Sequence, residues 1–157
     1  MHNYEIAEYF NLLAKLMDIH GENAFKIKSY SNAAYTLDRL NDPLVDMTPA
    51  QIASIRGIGD ALAQKIVDLL ATKQLQILED YIEKTPAGIL EMLKIKGLGP
   101  KKIITIWKEL GIESIGELLY ACEENRLINY KGFGAKTQQS IQDALNYYLQ
   151  NQGSFLY

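Results

Sequence analysis

The sequence predicts an all-α fold in two small helical lobes. Three observations predict it. Apolar residues recur at helical spacing in almost every segment, as with Ile6, Phe10, Leu13 and Met17. Capping sequences punctuate the chain: Thr48-Pro49-Ala50-Gln51 and Ser114-Ile115-Gly116-Glu117 both read as capping boxes. A five-residue pattern also occurs three times, as Ile55-Arg56-Gly57-Ile58-Gly59, Ile95-Lys96-Gly97-Leu98-Gly99 and Tyr130-Lys131-Gly132-Phe133-Gly134. Each copy precedes a stretch that reads as helix.

The elements follow in order. A first helix covers residues 3 to about 19 and is stopped by His20 and Gly21. A second, 26 to 40, carries Tyr30, Ala33, Ala34, Leu37 and Leu40, its small residues allowing close packing. A short helix begins at Thr48-Pro49 and leads to the first glycine pair, after which another runs from about Ala61 to Thr72. Helices at about 75 to 84 and from Thr85-Pro86 lead to the second pair. The helix from Pro100 ends at Gly111, a C-terminal cap glycine. A helix from Ser114 to about Glu124 leads to the third pair, and a last one spans about 135 to 150. The natural boundary falls at Thr85-Pro86, and the tail 151–157, with apolar Phe155, Leu156 and Tyr157, carries no cap or period.

Two glycines spaced by one apolar residue let the chain reverse tightly, with positive φ open at both ends. The middle residue (Ile58, Leu98 or Phe133) is placed to tuck between the flanking helices. The second glycine then opens a helix whose first N–H groups lack intrahelical partners and sit at the positive end of the dipole. That is the chemistry of a phosphate site, and the device is the helix-hairpin-helix, which holds a nucleic-acid backbone without reading its bases. The second hairpin is the strongest candidate, because from Met92 to Lys108 the only charged residues are Lys94, Lys96, Lys101, Lys102 and Lys108. The first ranks next, with Arg56 before it but Asp60 directly after; the third, with Lys131 and Lys136, ranks last. Other glycine-rich phosphate motifs fail: no Gly-x-x-x-x-Gly-Lys-Ser/Thr is present, and Leu62, Lys102 and Thr137 stand where a dinucleotide fingerprint needs its third glycine.

Composition sets bounds. The 157 residues carry a net charge of −3 with 48% hydrophobic residues, so any nucleic-acid footprint must be a local basic strip on an acidic body. Acidic residues gather elsewhere, at Glu79, Asp80 and Glu83 and at Glu123 and Glu124. No run of about twenty apolar residues and no signal peptide is visible, and the lone Cys122 excludes an internal disulfide. A cytoplasmic, nucleoid-associated monomer is expected, with no membrane partner.

With the hairpins placed, the chain up to about Gln150 resembles the N-terminal part of bacterial X-family DNA polymerases, relatives of DNA polymerase beta. The resemblance rests on Asn23-Ala24-Phe25-Lys26-Ile27-Lys28-Ser29-Tyr30-Ser31-Asn32-Ala33-Ala34, on the first hairpin, and on Leu93-Lys94 through the second hairpin to Pro100-Lys101-Lys102, in that order. It implies that the lobe 1–84 is like the small domain that grips the 5′-phosphate of gapped DNA. The lobe 85–150 is like the domain that holds the primer-side duplex, and 151–157 is a tail toward a palm domain outside this sequence. In the family that palm binds two Mg²⁺, so this chain is expected to bind gapped or nicked double-stranded DNA and not to polymerise.

The resemblance assigns candidate residues. Lys65 matches the lysine that forms a Schiff base in the family's 5′-deoxyribose-phosphate lyase activity, and Lys26 and Tyr30 match residues of the same pocket. Ala61, Phe25 and Ile77 replace a lysine, a histidine and a lysine there, and Lys28 partly compensates. The backbone contacts fall on Arg56, Gly57, Gly59, Lys96, Gly97, Gly99, Lys101, Lys102, Lys131, Gly132, Gly134 and Lys136. The family's monovalent cation, Na⁺ or K⁺, would sit on the carbonyls of Ala53, Ile55 and Ile58 and of Leu93, Ile95 and Leu98, and only with DNA bound. Two other readings stand beside this one: a stand-alone helix-hairpin-helix DNA-binding adaptor without enzymatic activity, and an all-helical protein-interaction domain.

Overall fold

A computed structural model describes residues 1–154 as helices, turns and loops, with no strand among them. Phe155, Leu156 and Tyr157 lie outside the described residues. The chain divides into two compact units, residues 1–84 and the chain from Thr85 onward.

In the first unit, α1 (Asn3–Ile19) packs on α2 (Ala24–Asp38) and α5 (Gln76–Glu83), and α3 (Pro49–Ala53) pairs with α4 (Gly59–Thr72). The core is the apolar face legible in the sequence: Ile6, Phe10, Leu13 and Met17 are all fully buried. Tyr30 lies against Phe10, with ring centroids 5.8 Å apart, and Ala33 and Ala34 let α1 and α2 approach. The second helix starts two residues earlier than the periodicity predicts. Asn23 caps it, its Oδ1 accepting from the N–H groups of Phe25 (2.8 Å) and Lys26 (3.3 Å). At α3 the capping box is complete, with Gln51 N–H donating to Thr48 Oγ1 and Thr48 N–H to Gln51 Oε1.

In the second unit, α6 (Ala87–Met92) packs on α8 (Ile115–Glu123), which packs on α9 (Ala135–Ser154). Between them α7 (Pro100–Ile104) widens into a π turn at Thr105–Glu109. Leu110 N–H reaches back five residues to Thr105 and Ile112 N–H six to Ile106, while Gly111, at φ +69°, ends the helix where predicted. The wide turn carries Trp107, whose Nε1 donates to Glu113 Oε2 at 2.9 Å. The capping box expected at Ser114 is only half formed: its Oγ accepts from Glu117 N–H but itself donates to the Glu117 carboxylate. The last helix also runs on through Ser154 instead of ending near Gln150, and on it Gln152 Nε2 donates one turn back to Tyr148 Oη at 2.7 Å.

Cys122 is buried in α8, and burial followed by the charge of Glu123 pushes its thiol up to about 11, so it stays a protonated core residue near neutral pH. The tightest steric constraint is Gly88 in α6, where an added Cβ would meet the Glu113 carbonyl oxygen at 1.9 Å. Gly88→Ala therefore forces α6 away from the loop before α8 and costs about 3 kcal/mol or more. Gly116→Ala in α8, with nothing within 4 Å of the new methyl, is neutral or stabilising by about 0.5 kcal/mol. Thermal unfolding of the two variants checks the contrast.

Candidate nucleic-acid interface

The three glycine hairpins share one backbone. Gly57, Gly97 and Gly132 have φ of +91°, +90° and +90°, a region that side chains avoid. One residue later the chain donates back three positions: Ile58 to Ile55 (3.0 Å), Leu98 to Ile95 (3.1 Å) and Phe133 to Tyr130 (3.1 Å). The bond before it repeats as well, from Ile55 to Ile52, Ile95 to Met92 and Tyr130 to Leu127. The middle residues Ile58, Leu98 and Phe133 are 4%, 5% and 7% exposed, so each wedge is buried and the glycines beside it face solvent.

The second glycines differ from expectation. Gly59 has φ +68°, but Gly99 is extended at φ −91°, ψ 173°, and Gly134 also lies outside the left-handed region. Gly99 precedes Pro100, whose ring excludes the α region for its neighbour. At this position φ does not require glycine, and the space around it is open.

In the second unit the structure brings the second hairpin and the start of α9, just after the third hairpin, to one cleft. Lys96, Gly97, Lys102, Lys136, Thr137, Ser140 and Ile141 line a depression of about 320 Å³ with no acidic side chain in its wall. Three lysines thus line one space, Lys136 among them. Lys101 and Lys131 are exposed on the same hairpins. Gln138 was not singled out by sequence. It is 5% exposed, its Oε1 accepts from Leu127 N–H at 3.1 Å and its Nε2 donates to Asn125 Oδ1 at 2.9 Å. A buried amide therefore fixes the approach to the third hairpin, and only its spacing from Gly134 could have hinted at this.

In the first unit the candidates separate. Arg56 is exposed beside Gly57. Lys65 is half-buried on α4 and lines a cavity of about 400 Å³ with Asp68, Thr72, Gln74, Leu75, Gln76 and Ile77. Lys28 is exposed on α2. Lys26 is exposed as well, but its Nζ lies 3.7 Å from Glu22 Oε2, which also accepts from Tyr81 Oη at 2.9 Å. The Asn23 N–H, the Tyr81 hydroxyl and then Lys26 hold the Glu22 carboxyl below its ordinary value. Tyr30 is 5% exposed and stacked in the core, and burial raises its hydroxyl pKa. The structure makes it a packing residue that supports α2.

For the cation, the Ile55 and Ile95 carbonyls each accept the hairpin N–H and keep a second lone pair. No cluster of His, Cys, Asp or Glu able to hold a metal occurs among the described residues. No helix among them is long and apolar enough to cross a membrane.

Residues 1–75 match the family described as Helix-hairpin-helix domain, and residues 89–146 match the SAM-like Helix-hairpin-helix tandem. The chain is 32% identical over 145 residues to the DNA polymerase/3'-5' exonuclease PolX of Bacillus subtilis (strain 168), covering 92% of this chain and 25% of that protein. It therefore spans about a quarter of the length of that relative.

Gln138→Leu, similar in volume, leaves the Leu127 N–H unpaired in the core. It is expected to cost about 1–3 kcal/mol in unfolding free energy and to loosen the third hairpin. Denaturant unfolding with amide hydrogen exchange at Leu127 measures both.

Proposed function

We propose that this chain, whose helix-hairpin-helix domains relate it to the N-terminal region of an X-family DNA polymerase, holds gapped or nicked duplex DNA by its backbone. DNA binding itself is supported by those domains and that relative. The finer reading is carried by one observation: Lys96, Lys102 and Lys136, with the bare backbone of Gly97, line one cleft without a carboxylate. A hairpin glycine and lysines from two helices around one space suit neighbouring phosphates of a strand. Lysines, bare backbone and the Thr137 and Ser140 hydroxyls suit phosphate oxygens and include no amide or guanidinium fork for a base edge, so binding is independent of sequence.

The first unit is proposed to take the 5′-phosphate at the gap. Lys26 and Lys28 stand on the solvent face of α2, and Arg56 adds charge at the first hairpin. Lys26 meets the phosphate only by exchanging its Glu22 partner for it. The paired carbonyls of Ala53, Ile55 and Ile58, and of Leu93, Ile95 and Leu98, are proposed to hold a monovalent cation against phosphate. The supporting observation is that both hairpins repeat the φ of the first glycine and the two N–H bonds that close on the residues before it. A palm domain with its Mg²⁺ pair belongs to the polymerase reading of the full-length protein and is proposed on the same terms.

A second activity is proposed for Lys65 because it is half-buried at a cavity wide enough for a sugar. Its neutral amine attacks the aldehyde carbon of an abasic deoxyribose and water leaves to form a Schiff base. Loss of the C2′ proton then expels the 3′-phosphate oxygen, and hydrolysis frees the lysine.

Anisotropy across a salt series tests the binding reading. Lys101→Ala, Lys102→Ala and Lys136→Ala each weaken duplex binding for all sequences and lower the slope of log affinity against log salt by about 1. An unchanged slope removes that lysine from the interface. A gapped duplex with a 5′-phosphate should bind more tightly than one with a 5′-hydroxyl, and Lys26→Ala should abolish the difference. Equal binding of both ends by the wild type favours the stand-alone adaptor. Borohydride trapping on an abasic 5′ end should cross-link the wild type and not Lys65→Ala; absence of a cross-link in the wild type rules out the lyase.

A further inference from the structure

A larger groove of about 930 Å³ adjoins the hairpin cleft, between the second hairpin and the C-terminal half of α9. Lys96 and Ser140 line both, so the two are continuous. Their chemistry differs. The cleft is lined by three lysines with no carboxylate. In the groove Asp143 partly offsets Lys94 and Lys96, and the remaining polar wall is made of Ser140, Tyr147, Tyr148, Asn151 and Gln152. An acidic residue opposite two lysines makes poor phosphate chemistry. Aromatic rings, amides and partly offset charges suit a neutral planar heterocycle that carries donors and acceptors.

The two tyrosines divide the work. Tyr148 is pinned: its hydroxyl donates to Glu91 Oε2 at 3.2 Å and accepts from Gln152 Nε2 at 2.7 Å. Burial, then Glu91, raises its pKa, so it stays a protonated donor. Tyr147 is 67% exposed on a helix that buries Ile141 and Leu145, and it is more open to solvent than Leu149 (38%) on the same helix. A large ring left in solvent beside a cationic cleft has the placement of a stacking platform.

We propose that this groove is a second nucleic-acid subsite that takes the base of an unpaired nucleotide, with Tyr147 stacking on it, in a strand whose phosphates are held at the hairpin cleft. The assignment rests on the reading of that cleft as a phosphate site. Stacking is indifferent to base identity, so the subsite favours frayed or overhanging strands over blunt ends without selecting sequence.

The test uses the full chain with a blunt duplex and the same duplex bearing a short overhang, with 2-aminopurine as the first unpaired base. The wild type should bind the overhang roughly five- to tenfold more tightly than the blunt end, and the 2-aminopurine emission should be quenched on binding. Tyr147→Ala should abolish both the preference and the quench while leaving blunt-end affinity unchanged, and Tyr147→Trp should keep them. Equal affinity of the wild type for blunt and overhanging ends, or a preference and quench that survive in Tyr147→Ala, overturns the proposal. That is the result expected if the groove receives a protein segment instead. A blunt duplex that fails to bind even at low salt overturns the phosphate reading of the cleft, a separate failure.

Discussion

A glycine held at φ near +90° between two helices is the constraint on which the rest depends. At Gly57, Gly97 and Gly132 it allows the next N–H to close back on the residue three before it. That single bond turns the chain, drives Ile58, Leu98 and Phe133 into the core, and leaves the glycine backbone on the surface. Any side chain at this position forces φ out of the region and undoes all three effects together. The burial of each wedge, about 1.5–3 kcal/mol for a large apolar side chain, offsets the cost of the turn. The exposed glycine backbone is thereby tied to core packing, and the turn holds where its wedge is seated.

The electrostatics follow from placement and not from total charge. The chain is acidic overall, at −3, yet Lys96, Lys102 and Lys136 meet in one cleft while Asp143 stands in the adjoining groove. A local arrangement of this kind sets where a polyanion sits even on an acidic body. In the first unit the balance is different, because Lys26 already has a partner in Glu22, itself held by Tyr81. An anion there meets competition that the second-unit cleft does not impose.

Much of this was legible in the sequence, and the limits have physical causes. Helix positions followed from the spacing of Ile6, Phe10, Leu13 and Met17 and from Thr48 and Gly111, because periodicity and capping are local properties. The hairpins were legible because their glycines repeat in one frame. What could not be read was tertiary. Gly88 resembles any helix glycine until the Glu113 carbonyl is seen beside it. Gln138 reads as a surface amide until Leu127 and Asn125 close around it. The spacing of Tyr30 suited packing and a sugar contact alike, and only its stacking on Phe10 shows that it lies in the core. The grouping of Lys136 with Lys96 and Lys102 depends on how α9 returns past the second hairpin, which no local pattern encodes.

The central claim is that the second and third hairpins form one backbone-binding face, and amide chemical shifts during titration with a short duplex test it most directly. The account predicts that the largest shifts fall on Gly97, Gly99, Lys102, Gly132, Gly134 and Lys136 together, at one apparent affinity, with the acidic stretch Glu79 to Glu83 unmoved. Shifts confined to one hairpin, or spread over surfaces away from the glycines, contradict it.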